Sequence, residues 1–394
     1  MSAGVAAVIL AGGFSSRMGE FKPLLSLGGQ TLLERCSGLF RQAGVDRILA
    51  VTGHRAEEVR PCLERLGIEG VHNERHAEGM FTSVLAGVQA LPPAVEAFFL
   101  LPVDTPLVRS SSVAALLRAW EDRGGQDILH PALLGRRGHP PLTGGAHISP
   151  ILAWDGKMGL AGYFSDFEAR HPGQVRAVEV ADEMILFDLD HPADVRAAAA
   201  RLERLAIPSP DECLALLNIT GASPELRAHG LGVALAGLRL AAALDRAKCP
   251  MDLDKVAAAG LLHDVARGMP DHALAGADLL RRAGFSGVAD TVAGHMDLEG
   301  GAGGEVTERE VLYLADKYVR GAEVVSLEER FSAKERRFAG DPQALAGLAA
   351  RREKALALRH KMAAILGERP ETVLLHRSGT KQEGRLHALF AAPR

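Results

Sequence analysis

Gly12, Gly13, Ser15, Ser16, Arg17 and Lys22 crowd into one short stretch that follows directly on the apolar run Val5–Leu10. Glycines let a backbone approach a phosphate and turn its N–H groups toward it, while arginine and lysine neutralise the charge that arrives. A loop of this make-up suits a nucleoside triphosphate. A second set of chemistry-bearing residues lies far downstream: His229, the adjacent pair His263 and Asp264, and Asp316. Leu226 and Val233 flank His229 at helical spacing, as Leu312 and Val319 flank Asp316. An imidazole or carboxylate on a core-facing stripe is costly unless paired. A shared divalent cation removes that cost for all four groups, since both donor types suit such ions.

The first set needs a rigid platform. Val5–Leu10 and Ile48–Val51 read as strands, and Phe98–Val103 as a fully apolar central strand that ends at Asp104. Thr31 with Glu34 forms a capping box that opens a helix whose Leu32, Leu33, Cys36, Leu39 and Phe40 share one face. The spacing predicts further helices over Glu57–Leu66 and Met80–Leu91. Such alternation predicts a Rossmann-like α/β domain over residues 1–205, its mostly parallel sheet covered on both faces. Ligands of these sheets bind beyond the carboxyl ends of the strands, where the Gly loop and Asp104 both fall.

Ala206–Asp211 reads as a linker, and beyond it strands largely disappear. Helices are expected over Pro224–Leu244, Leu253–Arg267, His272–Ala283, Thr307–Val319 and Pro342–Leu366, so residues 206–394 form an all-α domain with a basic, Ala-rich helical tail. His263 and Asp264 fall inside the second of these helices.

Bulk properties narrow the class. The 394 residues, 47% hydrophobic and 24% charged, suit a soluble globular chain of two domains. A net charge of −4 gives no basic field for nucleic acid. Cys36, Cys62, Cys213 and Cys249 form no C-x-x-C pair, which fits a reducing cytoplasm. Arg239 interrupts the longest apolar stretch, so no membrane span is expected.

The stretch from Leu10 to Leu25, L-A-G-G-F-S-S-R-M-G-E-F-K-P-L-L, resembles the signature of the molybdenum-cofactor nucleotidyltransferases. Asn73 with Gly79, Met80 and Ser83, the segment Leu101–Pro106, Gly138-His139-Pro140, and Asp188–Asp194 resemble later stations of that family. The resemblance covers roughly the first half of the chain. It implies nucleotidyl transfer to an anionic phosphate with Mg²⁺ held by Asp104, helped by Asp188 or Asp190. Arg17 and Lys22 would hold the phosphates. Leu10, Ala11, Gly12, Gly13 and Ser15 would cradle the nucleotide, with the base near Ala11 and Gly79, Ser83 near the sugar, and His139 toward the substrate. The G-H-P element and the Glu78-Gly79-Met80 segment look like the cytidylyltransferase branch, whereas Gly12 looks like the guanylyltransferase branch; CTP is the expected nucleotide. The implied acceptor is molybdopterin-type, with a molybdenum hydroxylase as recipient of the product. A sugar phosphate or phosphoalcohol is the alternative acceptor.

The second set resembles the HD-domain phosphohydrolases over about residues 224–325, with a Leu-Ala-Asp-Lys segment similar to that of bacterial symmetrical diadenosine-tetraphosphate hydrolases. This likeness implies one or two divalent metals (Mn, Fe, Mg or similar) on His229, His263, Asp264 and Asp316, with His272 and His295 adding the second. Arg267 would hold a phosphate oxygen. Met296 stands where many relatives have a second histidine. Together the halves read as a bifunctional enzyme; the competing reading is a cofactor-binding chaperone whose HD half only senses nucleotides.

Overall fold

Strand β1 (Val5–Leu10) lies at the centre of the first unit, between β2 (Arg47–Thr52) and β4 (Ala97–Pro102), and runs parallel to both. The computed structural model describes residues 4–122, 127–298 and 304–391, and these fall into two units, Met1–Arg204 and Leu205–Arg394. With β3 (Glu69–His72), β5 (Ile128–Leu133), β6 (Arg136–Arg137), β7 (Leu142–Gly144) and β8 (Val175–Glu179), the eight-stranded sheet of the first unit has the order β8-β5-β7-β4-β1-β2-β3, with β6 paired to β5. The chain moves outward from β1 through β2 to β3, then crosses back to place β4 on the other side. That reversal opens a crevice at the carboxyl ends of β1 and β4.

The central strands read as continuous apolar runs because both faces are buried. Ala6, Val8, Leu49, Val51, Phe98 and Leu100 pack with Val84 and Val88 of helix α3 (Met80–Gln89). On the opposite face the Phe99 ring meets Phe40 of α1 (Leu32–Gln42), with centroids 5.5 Å apart. The Thr31–Glu34 capping box at the start of α1 is present in both directions, each cap of this kind contributing about 1 kcal/mol. Helix α2 (Ala56–Leu66) matches its expected span closely. β7 is antiparallel to β4 and β5, so the sheet is mixed but mostly parallel.

The second unit is helical, with one short hairpin, Val319–Arg320 against Glu323–Val324. Its long helix α8 (Pro224–Arg246) packs against α9 (Leu253–Leu262) and α12 (Glu308–Lys317). Among the described residues, α8 is the one helix long and apolar enough to cross a membrane, which revises the reading that Arg239 cuts it short. Most of α8 is buried in this unit, and Arg239 pairs with Glu383 at 3.1 Å and with the Leu374 carbonyl at 2.7 Å. The C-terminal tail is therefore packed: α14 (Pro342–Leu366) also receives the Tyr313 hydroxyl on the Arg351 carbonyl at 3.1 Å.

Two expectations are corrected. The segment Ala206–Asp211 is a linker only as far as Ser209, which caps α7 (Pro210–Ile219) by a full capping box with Glu212. The helix expected over Leu253–Arg267 stops at Leu262. His263 turns its own Nδ1–H onto the Gly260 carbonyl at 2.9 Å, taking the acceptor that a continuing helix would use. Tight turns follow, with Val265 N donating to Leu262 O and Arg267 N to Asp264 O. His263 and Asp264 thus stand on a turn just past a helix end.

Candidate functional site

The first site begins where the sheet ladder runs on past its strands. Ala11 N donates to Val51 O at 2.8 Å, and Val103 N to Leu10 O at 3.1 Å, which fixes the mouth of the Gly loop between β2 and β4. Leu189 N donates to Asp104 O at 2.9 Å and brings the segment 188–190 alongside. Leu10, Ala11, Gly12, Gly13, Ser15, Lys22, Gly79, Ser83, Asp104 and Asp190 together line a cavity of ≈ 330 Å³. Gly79, at φ +119, takes a conformation that other residues resist, and it presents the N-terminus of α3 to that cavity. Asn73 holds Ser83 in place, its amide donating to the hydroxyl at 2.9 Å.

The Lys22 ammonium lies 2.9 Å from Asp104 Oδ2 and 2.9 Å from Asp190 Oδ1. Burial pulls its pKa down, but the two carboxylates outweigh burial and hold it above the ordinary value. The Lys22 bond in turn holds Asp190 below the usual carboxylate range. Burial, with the Asp104 charge next, pushes Asp188 up. Three carboxylates around one ammonium leave a surplus of negative charge, a donor set that fits a divalent cation. Ser15 Oγ accepts from Lys22 N at 3.0 Å, leaving its own O–H to donate.

A second cavity of ≈ 610 Å³ shares Leu10, Met80 and Pro102 as a common wall with the first. It is lined largely by apolar side chains, among them Phe81, Leu160 and Phe164, with His130, His139, Arg137 and Asp188 as polar exceptions. His139 is half-buried, its buried Nδ1 has no hydrogen-bond partner among the described residues, and burial lowers its pKa against the pull of Asp188 and Asp104.

The second unit gathers five predicted residues around a sixth, Asp264. His229, His263 and Asp264 offer ligand atoms within 4.8 Å of one another, and so do Asp264, His272 and His295. His229 Nε2 lies 3.2 Å from Asp316 Oδ1, and His263 Nε2 lies 3.8 Å from the same oxygen. His272 Nε2 is 3.2 Å from Asp264 Oδ1 and 3.2 Å from His295 Nε2. The Nδ1 atoms of His229, His263 and His295 all face backbone carbonyls, at 3.0, 2.9 and 2.7 Å. Those carbonyls fix Nδ1 as the protonated nitrogen and aim the Nε2 lone pairs inward. His263 Nε2 is buried with no partner among the described residues, and burial lowers His263 to about 4 against Asp316 and Asp264. Burial would raise Asp264, yet His295, His263 and Arg267 carry it well below the carboxylate range. Converging lone pairs around ionised carboxylates fit divalent metal, with Asp264 shared between two positions.

Residues 7–173 match the MobA-like NTP transferase domain model, and residues 226–321 match the HD domain model. The molybdenum cofactor cytidylyltransferase of Escherichia coli is 30% identical over 195 residues, 49% of this chain and 95% of that protein. The chain belongs to the MobA-like NTP transferase family, with an HD domain fused to it. The molybdenum cofactor guanylyltransferase of Xanthomonas euvesicatoria is 37% identical over 116 residues, 29% of this chain. The bifunctional IPC transferase and DIPP synthase of Rubrobacter xylanophilus is 39% identical over 125 residues, 30% of this chain. The match spans 55% of the Xanthomonas protein and 28% of the Rubrobacter protein.

Within the transferase-family unit, the residues expected at the nucleotide and its metal meet in the smaller cavity, with three exceptions, one of them Asp188, which lines the larger cavity. Arg17 is exposed and lines neither cavity, its charge reaching Asp190 only through space. His139 lines the larger cavity. In the HD unit all six expected ligands converge, and Arg267 pairs with Asp264 at 2.7 Å with an otherwise exposed side chain. Sequence reasoning missed Phe14 and His76 and gave Met80 no role at the site, although all three line the smaller cavity. Phe14 stacks 5.1 Å from His54 and 5.4 Å from His76, an exposed ring inside the Gly loop whose position was the available signal.

Proposed function

We propose that residues 1–205 transfer a cytidylyl group from CTP to a phosphorylated acceptor of the molybdopterin type, releasing pyrophosphate. The observation that carries this reading is Lys22 lying between Asp104 and Asp190 on the floor of a glycine-lined cavity, at the crevice of a mostly parallel sheet. A phosphate oxygen of the acceptor attacks the α-phosphorus, a new P–O bond forms, and the bond to the β-phosphate oxygen breaks. The attacking phosphate is already ionised near neutral pH, so no general base is required. Mg²⁺ on Asp104 and Asp190 would screen the two anions from each other. Lys22 supplies further positive charge, Gly12 and Gly13 offer backbone N–H groups, and Ser15 donates its hydroxyl. The adjoining cavity, apolar but for His130, His139, Arg137 and Asp188, suits a ring system ending in a phosphate.

The choice of CTP rests on the G-H-P element and the Gly79-Met80 segment. Gly12 points to neither base: a Cβ there would lie 3.3 Å from Thr52 C, Gly53 N and Ser83 Oγ, so packing alone favours glycine. In this reading the product passes to a molybdenum hydroxylase in the cytoplasm.

Residues 206–394 we read as a metal-dependent phosphohydrolase, supported by the inward Nε2 lone pairs around Asp264. A bound metal pair would make a hydroxide nucleophile from water. Arg267, at the exposed edge, would hold a phosphate oxygen.

Pyrophosphate release by the full chain, given CTP or GTP with molybdopterin-bound molybdenum, sugar phosphates or phosphoalcohols, tests the first reading. Release with CTP and the pterin phosphate is expected. Turnover with a sugar phosphate alone would overturn the acceptor, and tight binding with no turnover would favour a chaperone.

A further inference from the structure

Helix α13 (Leu327–Arg337) carries Arg330 and Lys334 four residues apart, and therefore on one face. Arg330 Nη2 lies 3.8 Å from Asp316 Oδ1, and its buried Nε has no hydrogen-bond partner among the described residues. Lys317 Nζ lies 2.7 Å from Asp316 Oδ2 and 4.4 Å over the Tyr313 ring. Lys334 is half-buried and makes no ion pair or hydrogen bond among the described residues. Burial, and then the nearby charges of Arg330 and Lys317, lower its pKa to about 8.

The acids of the same helix are engaged elsewhere. Glu328 pairs with Arg359 at 3.2 Å, Glu329 caps Ser326 at 2.9 Å, and Glu335 pairs with Arg352 at 3.2 Å. Among the described residues, Asp316 is the carboxylate that lies within 4.0 Å of both Lys317 and Arg330; it acts on Lys334 only through space, and it also belongs to the histidine–aspartate cluster. Lys317 also donates to the His295 carbonyl at 3.3 Å, but three cations near one carboxylate that a metal would also engage leave positive charge in excess. Buried cations persist only where charge is balanced.

We propose that Lys317, Arg330 and Lys334 form an anion subsite beside the cluster, which takes the second phosphate of a phosphoanhydride substrate. The proposal rests on the phosphohydrolase reading. It places specificity on α13, outside the 226–321 span that matches the HD model. A substrate with a single phosphate reaches the metals and Arg267 but leaves α13 unused.

The test uses the full chain loaded with Mn²⁺ and measures binding of inorganic pyrophosphate and of inorganic phosphate by calorimetry. His263→Ala defines the component of binding that belongs to the cluster rather than to the transferase cavity. Lys334→Gln and Arg330→Gln should each weaken that pyrophosphate component by about tenfold, the loss of one charge-assisted bond. Phosphate affinity should change by less than about threefold on the same reasoning, and Mn²⁺ content should not change. Lys334→Arg should keep the wild-type preference. Equal weakening of both anions, or of neither, overturns the subsite. Mn²⁺ content that is the same in wild type and His263→Ala, seen before any anion is added, overturns the phosphohydrolase reading and the subsite with it.

Discussion

In the first unit the reactive side chains stand on loops at the carboxyl ends of strands, and a lysine of the chain itself lies between the carboxylates. In the second they point inward from helices and a turn, and their Nε2 lone pairs meet one another with nothing of the chain between them. Lys22 pairs with Asp104 and Asp190 whether or not a cation is bound, so the first site, though still in negative surplus, is partnered by its own residues. The histidine cluster is not: two imidazole nitrogens 3.2 Å apart repel unless a proton or a metal lies between them. The contrast teaches that metal should be an exchangeable visitor in the first unit and part of the folded structure in the second.

Substitutions can break that contrast. Asp104→Ala should lower nucleotidyl transfer by roughly a thousandfold or more while leaving metal content in the second unit unchanged; a parallel loss of metal there would end the idea of independent sites. Lys22→Ala should cost on the order of a hundredfold, read from pyrophosphate release under saturating CTP. His263→Ala should strip metal from the second unit of the full chain, by elemental analysis, and leave transfer within about twofold, the range expected of an independent site.

A pH series treats the two units alike and sharpens the comparison. Burial pushes His130 of the first unit and His263 of the second to about 4, whereas the unfolded groups titrate near 6.5. The unfolded chain binds more protons in that window, so stability is full above about pH 6.5 and falls as pH drops toward 4. Denaturant midpoints of the metal-free chain should decline over this range; a rise would contradict the buried, neutral state of both imidazoles. The smallest effect is expected from Gly12→Ala, which should alter CTP turnover by about threefold or less and leave the CTP-to-GTP ratio unchanged. A reversal of that ratio would restore Gly12 as a reader of the base.

Much of this was legible in the sequence where the signal is local. The capping boxes of Thr31 with Glu34 and of Thr307 with Glu310, and the apolar run ending at Asp104, each declare themselves within a few residues. Strand β7 did not, being three residues long just after Pro140 and Pro141. Helix α11 (Ser286–Ala293) escaped notice because it is one short apolar stretch containing Gly287. The helix end at Leu262 depended on where the His263 ring would point, which periodicity does not encode. The meeting of Lys22 with Asp190 spans 168 positions and exists only through the sheet crossover. Lys334 belongs to no motif, and α13, which sets it one turn from Arg330, was not among the expected helices.

The near-contact of Gly12 with Gly53 bears on any attempt to re-engineer this protein. A side chain at Gly53 would strike His76 Cβ at 2.5 Å and Gly12 O at 2.8 Å, so the three segments interlock. Grafting the opening loop of a homologue alone would import its steric demands without the matching walls. Chimeras that exchange all three segments together are the ones expected to fold and to carry a new preference with them.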